Sequence, residues 1–238
     1  MTFTDFDALS FDCYGTLIDW EAGLKAGLAK VAALGDGSLT ADDLLETYGQ
    51  IEARIEREHP GMLYPEVIAR SITETGETHG IEVPPVLAAK IGESVTDWPA
   101  FPDSAEALGR LKQRYKLIIL SNVDRESFAG SNRRLGVKFD AILTAQDIGS
   151  YKPDPHNFDA LFAQIETMGI PRERLLHVAQ SLFHDHVPAK AAGLTTVWID
   201  RRGGIPGSGA TPIPDDVPTP DWTFSSMQAF ADAIEAED

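Results

Sequence analysis

The sequence predicts an α/β fold in which a parallel β-sheet carries helices on both faces and a helical segment follows the first strand. Short apolar runs alternate with stretches of helical periodicity beyond residue 99, a pattern typical of a parallel sheet with helical crossovers. Between the first apolar run and residue 99, helical periodicity prevails. We therefore expect a core domain of residues 1–18 and 99–238 and a helical cap domain of residues 19–98.

The predicted strands are short runs rich in apolar residues, and those at 8–12 and 116–120 are expected to be buried. They cover residues 8–12, 116–120, 141–143, 175–179 and 195–199. Right-handed crossovers between such strands restrict the possible topologies strongly.

The insertion begins with apolar residues at helical spacing, from Trp20 through Leu24 and Leu28 to Val31. Thr40 and the acid three positions later form a capping-box-like helix start. The helix that follows has one apolar face, composed of Leu44, Leu45, Tyr48, Ile51 and Ile55. Two prolines, Pro84 and Pro85, suit the first turn of a further helix.

The helices of the core are predicted between the strands and at the end of the chain. They cover about 103–114, a segment from about 125, about 155–168, a segment starting near 185, and about 225–236. Residues 201–220 are rich in glycine and proline, which indicates a long surface loop.

Composition excludes several classes of function. The chain has 238 residues and a net charge of −17, so electrostatic binding of nucleic acid or of an anionic membrane is not expected. The longest aliphatic run, residues 117–120, is too short to span a bilayer. A single cysteine, Cys13, and a beginning without a secretory pattern are consistent with a cytoplasmic protein.

Four polar residues from distant parts of the chain fall at or just beyond predicted strand ends: Asp12, Ser121, Lys152 and Asp185. Open α/β sheets bind ligands at the carboxyl ends of their strands. The sequence therefore predicts that these side chains meet at one edge of the sheet and form a site there.

The motifs around these residues resemble those of the haloacid dehalogenase superfamily. They are FDCYGTL at 11–17, SN at 121–122, YKPDP at 151–155, and HVAQS at 177–181 followed by Asp185 and AKAAGL at 189–194. The four motifs occur in the expected order and span nearly the whole chain. The resemblance implies a Rossmann-like core with a helical cap, and a carboxylate nucleophile at Asp12.

The residue types suit that chemistry. Asp12 must be ionised to attack, and the cation of Lys152 lowers the pKa of a neighbouring carboxyl group. Thr16 can orient the carboxylate through a hydroxyl hydrogen bond, and Ser121 can bind an oxyanion or a substrate carboxylate. Asp185 is expected to hold Lys152 or to activate the hydrolytic water.

Two positions separate this sequence from the phosphatases of the superfamily. Tyr14 replaces the second aspartate that protonates the leaving group, and Gln180 replaces an acidic ligand of magnesium. Both changes point away from phosphatases, and the sequence DCYGTL, which contains this tyrosine, resembles the type II 2-haloacid dehalogenases. In that branch the carboxylate displaces halide from a small anionic 2-haloacid without a metal or other cofactor, and water then releases a 2-hydroxy acid.

Other positions depart from that branch. The arginine that its cap contributes is missing near Gly49, although Arg54 is close in sequence. Phe158 and Leu182 stand where the branch has tyrosine and asparagine. The expected substrate-binding residues are Tyr14, Ser121, Asn122, Gln180, Ser181, His184 and Phe158.

His184 and His186 lie too close together, without a third soft ligand nearby, to predict a metal site. A water-activating or substrate-contacting histidine is one alternative, and ordinary packing is the other. Two further alternatives for the whole protein stay open, namely a magnesium-dependent phosphatase of a small metabolite and a non-catalytic binding protein with this fold. A homodimer is also possible.

Overall fold

In the computed structural model of the protein, the residues described are 1–203, 214 and 216–237. Six strands form one parallel sheet in the order β3-β2-β1-β4-β5-β6. The strands are β1 (Ala8–Phe11), β2 (Lys116–Ser121), β3 (Ala141–Thr144), β4 (Leu175–Ala179), β5 (Thr195–Ile199) and β6 (Trp222–Phe224). The predicted fold class is confirmed.

Helices cover both faces of the sheet. Four helices follow β1 in sequence and precede residue 99. These four are α1 (Trp20–Ala32), α2 (Ala41–Glu58), α3 (Tyr64–Thr78) and α4 (Pro85–Glu93). The others are α5 (Ser104–Leu111), α6 (Arg125–Leu135), α7 (Ala145–Ile148), α8 (Pro155–Thr167), α9 (Val187–Ala191) and α10 (Met227–Ala236). We call residues 19–98 the helical insertion; its status as a separate domain stays a prediction.

The register of the central strands fixes the position of the site. Phe11, the last residue of β1, pairs with Ile119 of β2 and Val178 of β4. The backbone N–H of Asp12 then donates to the carbonyl of Val178 at 3.1 Å. The residue after β1 is therefore anchored at the carboxyl edge, between its two neighbouring strands.

Two apolar layers enclose the sheet. One contains Ile118, Leu120 and the buried face of α8, while the other contains Leu9, Phe11 and the helical insertion. The second layer is continuous from the sheet into the insertion, so the insertion packs on the edge where Asp12 lies. No helix in the described part of the chain combines the length and apolarity needed to cross a bilayer.

The start of α2 agrees with the capping-box prediction, since the Thr40 N–H donates to Asp43 Oδ2 at 2.7 Å. The predicted apolar face of α2 packs on the core, with Ile51 half-buried against it. Glu52 and Glu56, which were not predicted on that face, are buried as well.

Several boundaries differ from the sequence prediction. Helix α5 ends at Leu111 rather than near residue 114, and α10 begins at Met227 rather than near 225. The helix expected near Asp185 begins as a π-helical turn, Leu182–His186, before α9. The three-residue strand β6 was not predicted. Most of the loop predicted at residues 201–220 lies outside the described residues.

Candidate active site

Lys152 lies at the centre of the site and joins two carboxylates. Its Nζ donates to Asp12 Oδ1 at 3.0 Å, to Asp185 Oδ1 at 2.6 Å and to the carbonyl of Leu120 at 3.0 Å. The Lys152 side chain is 1% exposed, so these contacts satisfy all three of its donors away from water. Residues that are 140 positions apart in sequence are thus brought together as predicted from the strand ends.

Thr16 holds the other oxygen of Asp12. Its hydroxyl donates to Asp12 Oδ2 at 2.6 Å and accepts from the backbone N–H of Gln180 at 2.9 Å. The Asp12 carboxylate is therefore fixed on one side by an ammonium and on the other by a hydroxyl. Such fixation places the carboxylate in one orientation before any substrate arrives.

The charges of this cluster follow from burial and mutual contact. Burial raises the pKa of Asp12, while the Lys152 ammonium and the Thr16 hydroxyl act in the opposite direction. Burial acts to raise the pKa of Asp185 as well, but there Lys152 and His177 outweigh it and the pKa is lowered. Burial acts to lower the pKa of Lys152, but the two carboxylates outweigh it and the pKa is raised, so the lysine stays charged.

A buried chain of hydrogen bonds supports Asp185 from below the site. His177 Nε2 lies 3.0 Å from Asp185 Oδ1, and His177 Nδ1 lies 2.8 Å from the hydroxyl of Ser10. Ser10 and His177 are neighbours in register on β1 and β4. Asp185 Oδ2 is buried without a hydrogen-bond partner among the described residues, so one acceptor remains for a water or a ligand.

A small cavity of about 40 Å³ lies between this cluster and the helical insertion. The core contributes Asp12, Tyr14, Ser121, Asn122, Val123, Lys152, Ser181, His184 and Asp185 to its wall, and the insertion contributes Trp20, Glu52, Glu56 and Tyr64.

Five of the predicted substrate-binding residues line the cavity: Tyr14, Ser121, Asn122, Ser181 and His184. Ser121 Oγ is buried without a partner among the described residues. The hydroxyl of Ser181 accepts from the backbone N–H of His184 at 2.9 Å. Burial lowers the pKa of His184 to about 4, which leaves its ring neutral near pH 7.

Asn122 has a second task besides lining the cavity. Its Oδ1 accepts from the backbone N–H of Lys152 at 2.6 Å, and its Nδ2 donates to the Lys152 carbonyl at 3.0 Å. The amide therefore fixes the backbone that carries the lysine.

Two predicted substrate-binding side chains do not line this cavity. Phe158 is buried on the other face of the sheet, where its ring packs against the edge of His177 at a centroid distance of 5.3 Å. The side chain of Gln180 lies beside Gly15 and lines a different cavity near Arg201. Arg54 is also absent from the wall, because it forms ion pairs with Glu58 and Glu74 on the outer side of the insertion.

Comparison with known proteins assigns the family. A model of the haloacid dehalogenase-like hydrolases matches residues 6–193. The chain belongs to the haloacid dehalogenase-like hydrolase family. A search of curated proteins found no match.

Solved structures of other proteins share the fold of this chain. The L-2-haloacid dehalogenase from Xanthobacter autotrophicus is 18% identical with a TM-score of 0.79, and the match covers 98% of this chain and 100% of that one. The same enzyme with chloropropionic acid covalently bound is 18% identical with a TM-score of 0.78 over the same shares. The putative HAD-hydrolase YfnB from Bacillus subtilis, bound to magnesium, is 20% identical with a TM-score of 0.75, covering 97% and 99%.

The YfnB structure contains magnesium, and the residues around Asp12 of this protein fit that ion poorly. The hydroxyl of Tyr14, two positions after Asp12, forms a hydrogen bond with the Ser131 hydroxyl at 2.7 Å. The side chain of Gln180 lies outside the cavity. Asp12 Oδ1 and Asp185 Oδ1 already accept hydrogen bonds from the Lys152 ammonium. Magnesium requires several oxygen ligands in near-octahedral geometry, and the described residues contain no group of three or more His, Cys, Asp or Glu arranged for a metal.

Sequence reasoning missed two pairs of residues in this hydrolase. Glu52 and Glu56 line the cavity one helical turn apart on α2, and Ser10 and His177 support Asp185. The glutamates continue the i, i+4 line from Tyr48, which is a signal for the buried face of the helix. His177 lies within a predicted buried strand, where a polar residue calls for a partner.

Proposed function

We propose that this hydrolase acts on a small 2-haloacid through a covalent ester on Asp12, with the helical insertion serving as the cap of the active site. One observation carries the proposal: the Asp12 carboxylate is held between Lys152 and Thr16 at the wall of a cavity between the core and the insertion. A carboxylate in such a position suits nucleophilic attack, since it is desolvated and oriented.

The first step is a displacement at carbon. A carboxylate oxygen of Asp12 attacks C2 of the substrate, and the carbon–halogen bond breaks as halide leaves with the bonding electrons. Halide needs no proton to leave, which suits the absence of an acid at Tyr14. Burial raises the pKa of the Tyr14 phenol well above its ordinary value, so this group is a poor proton donor.

The second step is hydrolysis of the ester. Water attacks the carboxyl carbon of Asp12 and the ester bond between that carbon and the substrate oxygen breaks. One proton of the water passes to the leaving oxygen and the other is released to solvent, so the 2-hydroxy acid leaves with an oxygen that came from Asp12. Asp185 offers the unpartnered acceptor Oδ2 beside the ester, and Oδ1 is fixed by Lys152 and His177. In this proposal Asp185 orients the water and Lys152 stabilises the negative charge that develops on the ester.

Halide release tests the proposal. The protein is incubated with 2-chloropropanoate in the presence of EDTA, and phosphate release from an aryl phosphate with magnesium is measured in parallel. Metal-independent halide release that disappears in Asp12→Asn is the expected result. The matched control is Asp159→Asn, at an exposed position of α8, which should release halide as the wild type does. Magnesium-dependent phosphate release without halide release would contradict the proposal.

A further inference from the structure

A pair of buried carboxyl groups forms the insertion side of the cavity. Glu52 and Glu56 are each 5% exposed. Glu52 Oε1 accepts from the hydroxyl of Tyr48 at 2.8 Å and from that of Tyr64 at 3.0 Å. Glu56 Oε2 accepts from Asn122 Nδ2 at 3.3 Å. Buried carboxyl groups are costly unless their charge or their protons find partners, so their presence in this wall requires an explanation.

In the described residues, one oxygen of each carboxyl group accepts hydrogen bonds and the other does not. In the part of the chain that the structure describes, Glu52 Oε2 and Glu56 Oε1 have no hydrogen-bond partner. Lys152 is the one cationic side chain among the described residues of the wall, and its donors are used by Asp12, Asp185 and Leu120. The cavity therefore contains four carboxyl groups against one ammonium.

Independent atoms in the same cavity also lack partners. Ser121 is 1% exposed and Asp185 is 0% exposed, and Ser121 Oγ and Asp185 Oδ2 are unpartnered among the described residues. Both residues line the cavity from the core side, where Glu56 contacts Asn122 and lies 4.0 Å from the likewise unpartnered His184 Nε2. Buried polar atoms without partners indicate that the cavity holds a polar ligand.

Aromatic rings line the cavity beside the glutamates. Trp20 Nε1 donates to the hydroxyl of Tyr64 at 3.0 Å, and Tyr64 in turn donates to Glu52. The rings of Tyr14 and Tyr64 lie 6.2 Å apart at an angle of 54°. Aromatic faces combined with carboxylates favour a cation, because the ring quadrupole and the carboxylate charge both attract positive charge.

We propose that Glu52 and Glu56 bind an ammonium group of the substrate, so that the preferred substrates are short 2-haloacids with an amine at the far end. This inference rests on the proposed function. The substrate carboxylate lies towards Ser121, Asp12 displaces the halide at C2, and the amine is unchanged in the product. A cavity of about 40 Å³ favours a chain of few carbon atoms. Burial raises the pKa of Glu52 to about 7 and that of Glu56 well above its ordinary value, and a bound ammonium would favour the ionised form of both.

Two substrates of equal size test the inference, namely 4-amino-2-chlorobutanoate and 2-chloropentanoate, which has a methyl group in place of the ammonium. We expect the wild type to release halide from the amino compound with a kcat/KM about tenfold higher or more. Glu52→Gln and Glu56→Gln should lower that ratio about tenfold, while Glu46→Gln, exposed on the same helix, should keep it. A wild-type preference for 2-chloropentanoate, or a ratio unchanged in both buried variants, would overturn the inference.

Product binding separates this inference from the proposed function. Calorimetry compares 4-amino-2-hydroxybutanoate with 2-hydroxypentanoate, and it needs no turnover. Halide release from neither of these substrates nor from 2-chloropropanoate would defeat the proposed function alone, whereas tighter binding of 2-hydroxypentanoate would defeat the ammonium site. The same titration applies to a buried variant that has lost turnover.

Discussion

Thr16 fixes the orientation of the carboxylate of Asp12, the candidate nucleophile. Its hydroxyl donates to Asp12 and accepts from the backbone of Gln180, so it connects the segment after β1 with the segment after β4. A hydrogen bond to a charged group contributes about 1.5–3 kcal/mol, which is large compared with a neutral hydrogen bond.

We predict that Thr16→Val lowers kcat for halide release by about 10- to 100-fold, because the hydrogen bond to the carboxylate is lost while the shape is kept. Thr16→Ser keeps the hydroxyl and should stay within about threefold of the wild type. Steady-state kinetics of the two variants measures the difference. Equal losses in both would show that the methyl group, and not the hydroxyl, is what matters.

Glu52 gives a second prediction, for stability. Burial raises the folded-state pKa of Glu52 to about 7 from an ordinary value of 4.5. Stability from the neutral form is thus fully present below pH 4.5 and is lost as the pH rises through about 7. Glu52→Gln should therefore gain about 2–3 kcal/mol of stability relative to the wild type between pH 5 and pH 8.

Urea unfolding at the two pH values measures this effect, with Glu46→Gln as the exposed control. The groups that face Glu52 are Tyr48, Tyr64 and Glu56. A variant that is less stable than the wild type at both pH values would show that the tyrosine hydrogen bonds need the carboxylate.

At the scale of residues, the sequence predicted the positions of polar residues that follow the carboxyl ends of strands. Asp12, Lys152 and Asp185 were expected at one edge, and the structure brings them within hydrogen-bond distance. Glu52 and Glu56 were missed because a glutamate on a helix is usually solvated, and only the packing of α2 on the core buries them.

At the scale of elements, the helical insertion depends on close contact between its helices. Gly92 of α4 lies against the backbone of α3, and a Cβ there would overlap the carbonyl oxygen of Pro65. The glycine is required by this close approach rather than by an unusual backbone conformation.

We predict that Gly92→Ala destabilises the protein by about 1–3 kcal/mol or more, because backbone atoms must move apart to admit the methyl group. The matched control is Gly109→Ala on α5, where a Cβ meets nothing within 4 Å. That variant should be unchanged or more stable by up to about 1 kcal/mol. Thermal unfolding of both proteins measures the contrast, and similar effects from the two substitutions would contradict the packing described for α3 and α4.

The sequence predicted the strands that contain several apolar residues in succession. It did not predict the short strand β6 or the π-helical turn before α9. The strand β2 has five buried residues in succession, whereas β6 has three residues that are half-buried or exposed. Its pairing with β5 depends on the sheet edge, which no local pattern of Trp222–Phe224 reveals. The π-helical turn before α9 likewise has no signature in residue periodicity.

At the scale of the molecule, net charge affects how often an anionic substrate reaches the cavity. The chain carries a net charge of −17, which repels an anionic 2-haloacid at long range. In the proposed function, local donors and the ammonium of Lys152 attract it once it reaches the cavity.

We predict that KM for 2-chloropropanoate falls about two- to fivefold when ionic strength rises from about 10 mM to about 200 mM, since salt screens the repulsion. The zwitterionic 4-amino-2-chlorobutanoate, with no net charge, should show a smaller change. A KM for the simple acid that rises with salt would show that local attraction at the cavity outweighs the charge of the whole protein.

The central claim is that Asp12 itself becomes bonded to the substrate. A single turnover in H₂¹⁸O, with enzyme in excess over 2-chloropropanoate, tests it by mass spectrometry of the product and of the peptide containing Asp12. We expect an unlabelled 2-hydroxy acid and one ¹⁸O in Asp12, because water attacks the carboxyl carbon of the ester. A labelled product with unlabelled Asp12 would show direct attack by water and would contradict the claim.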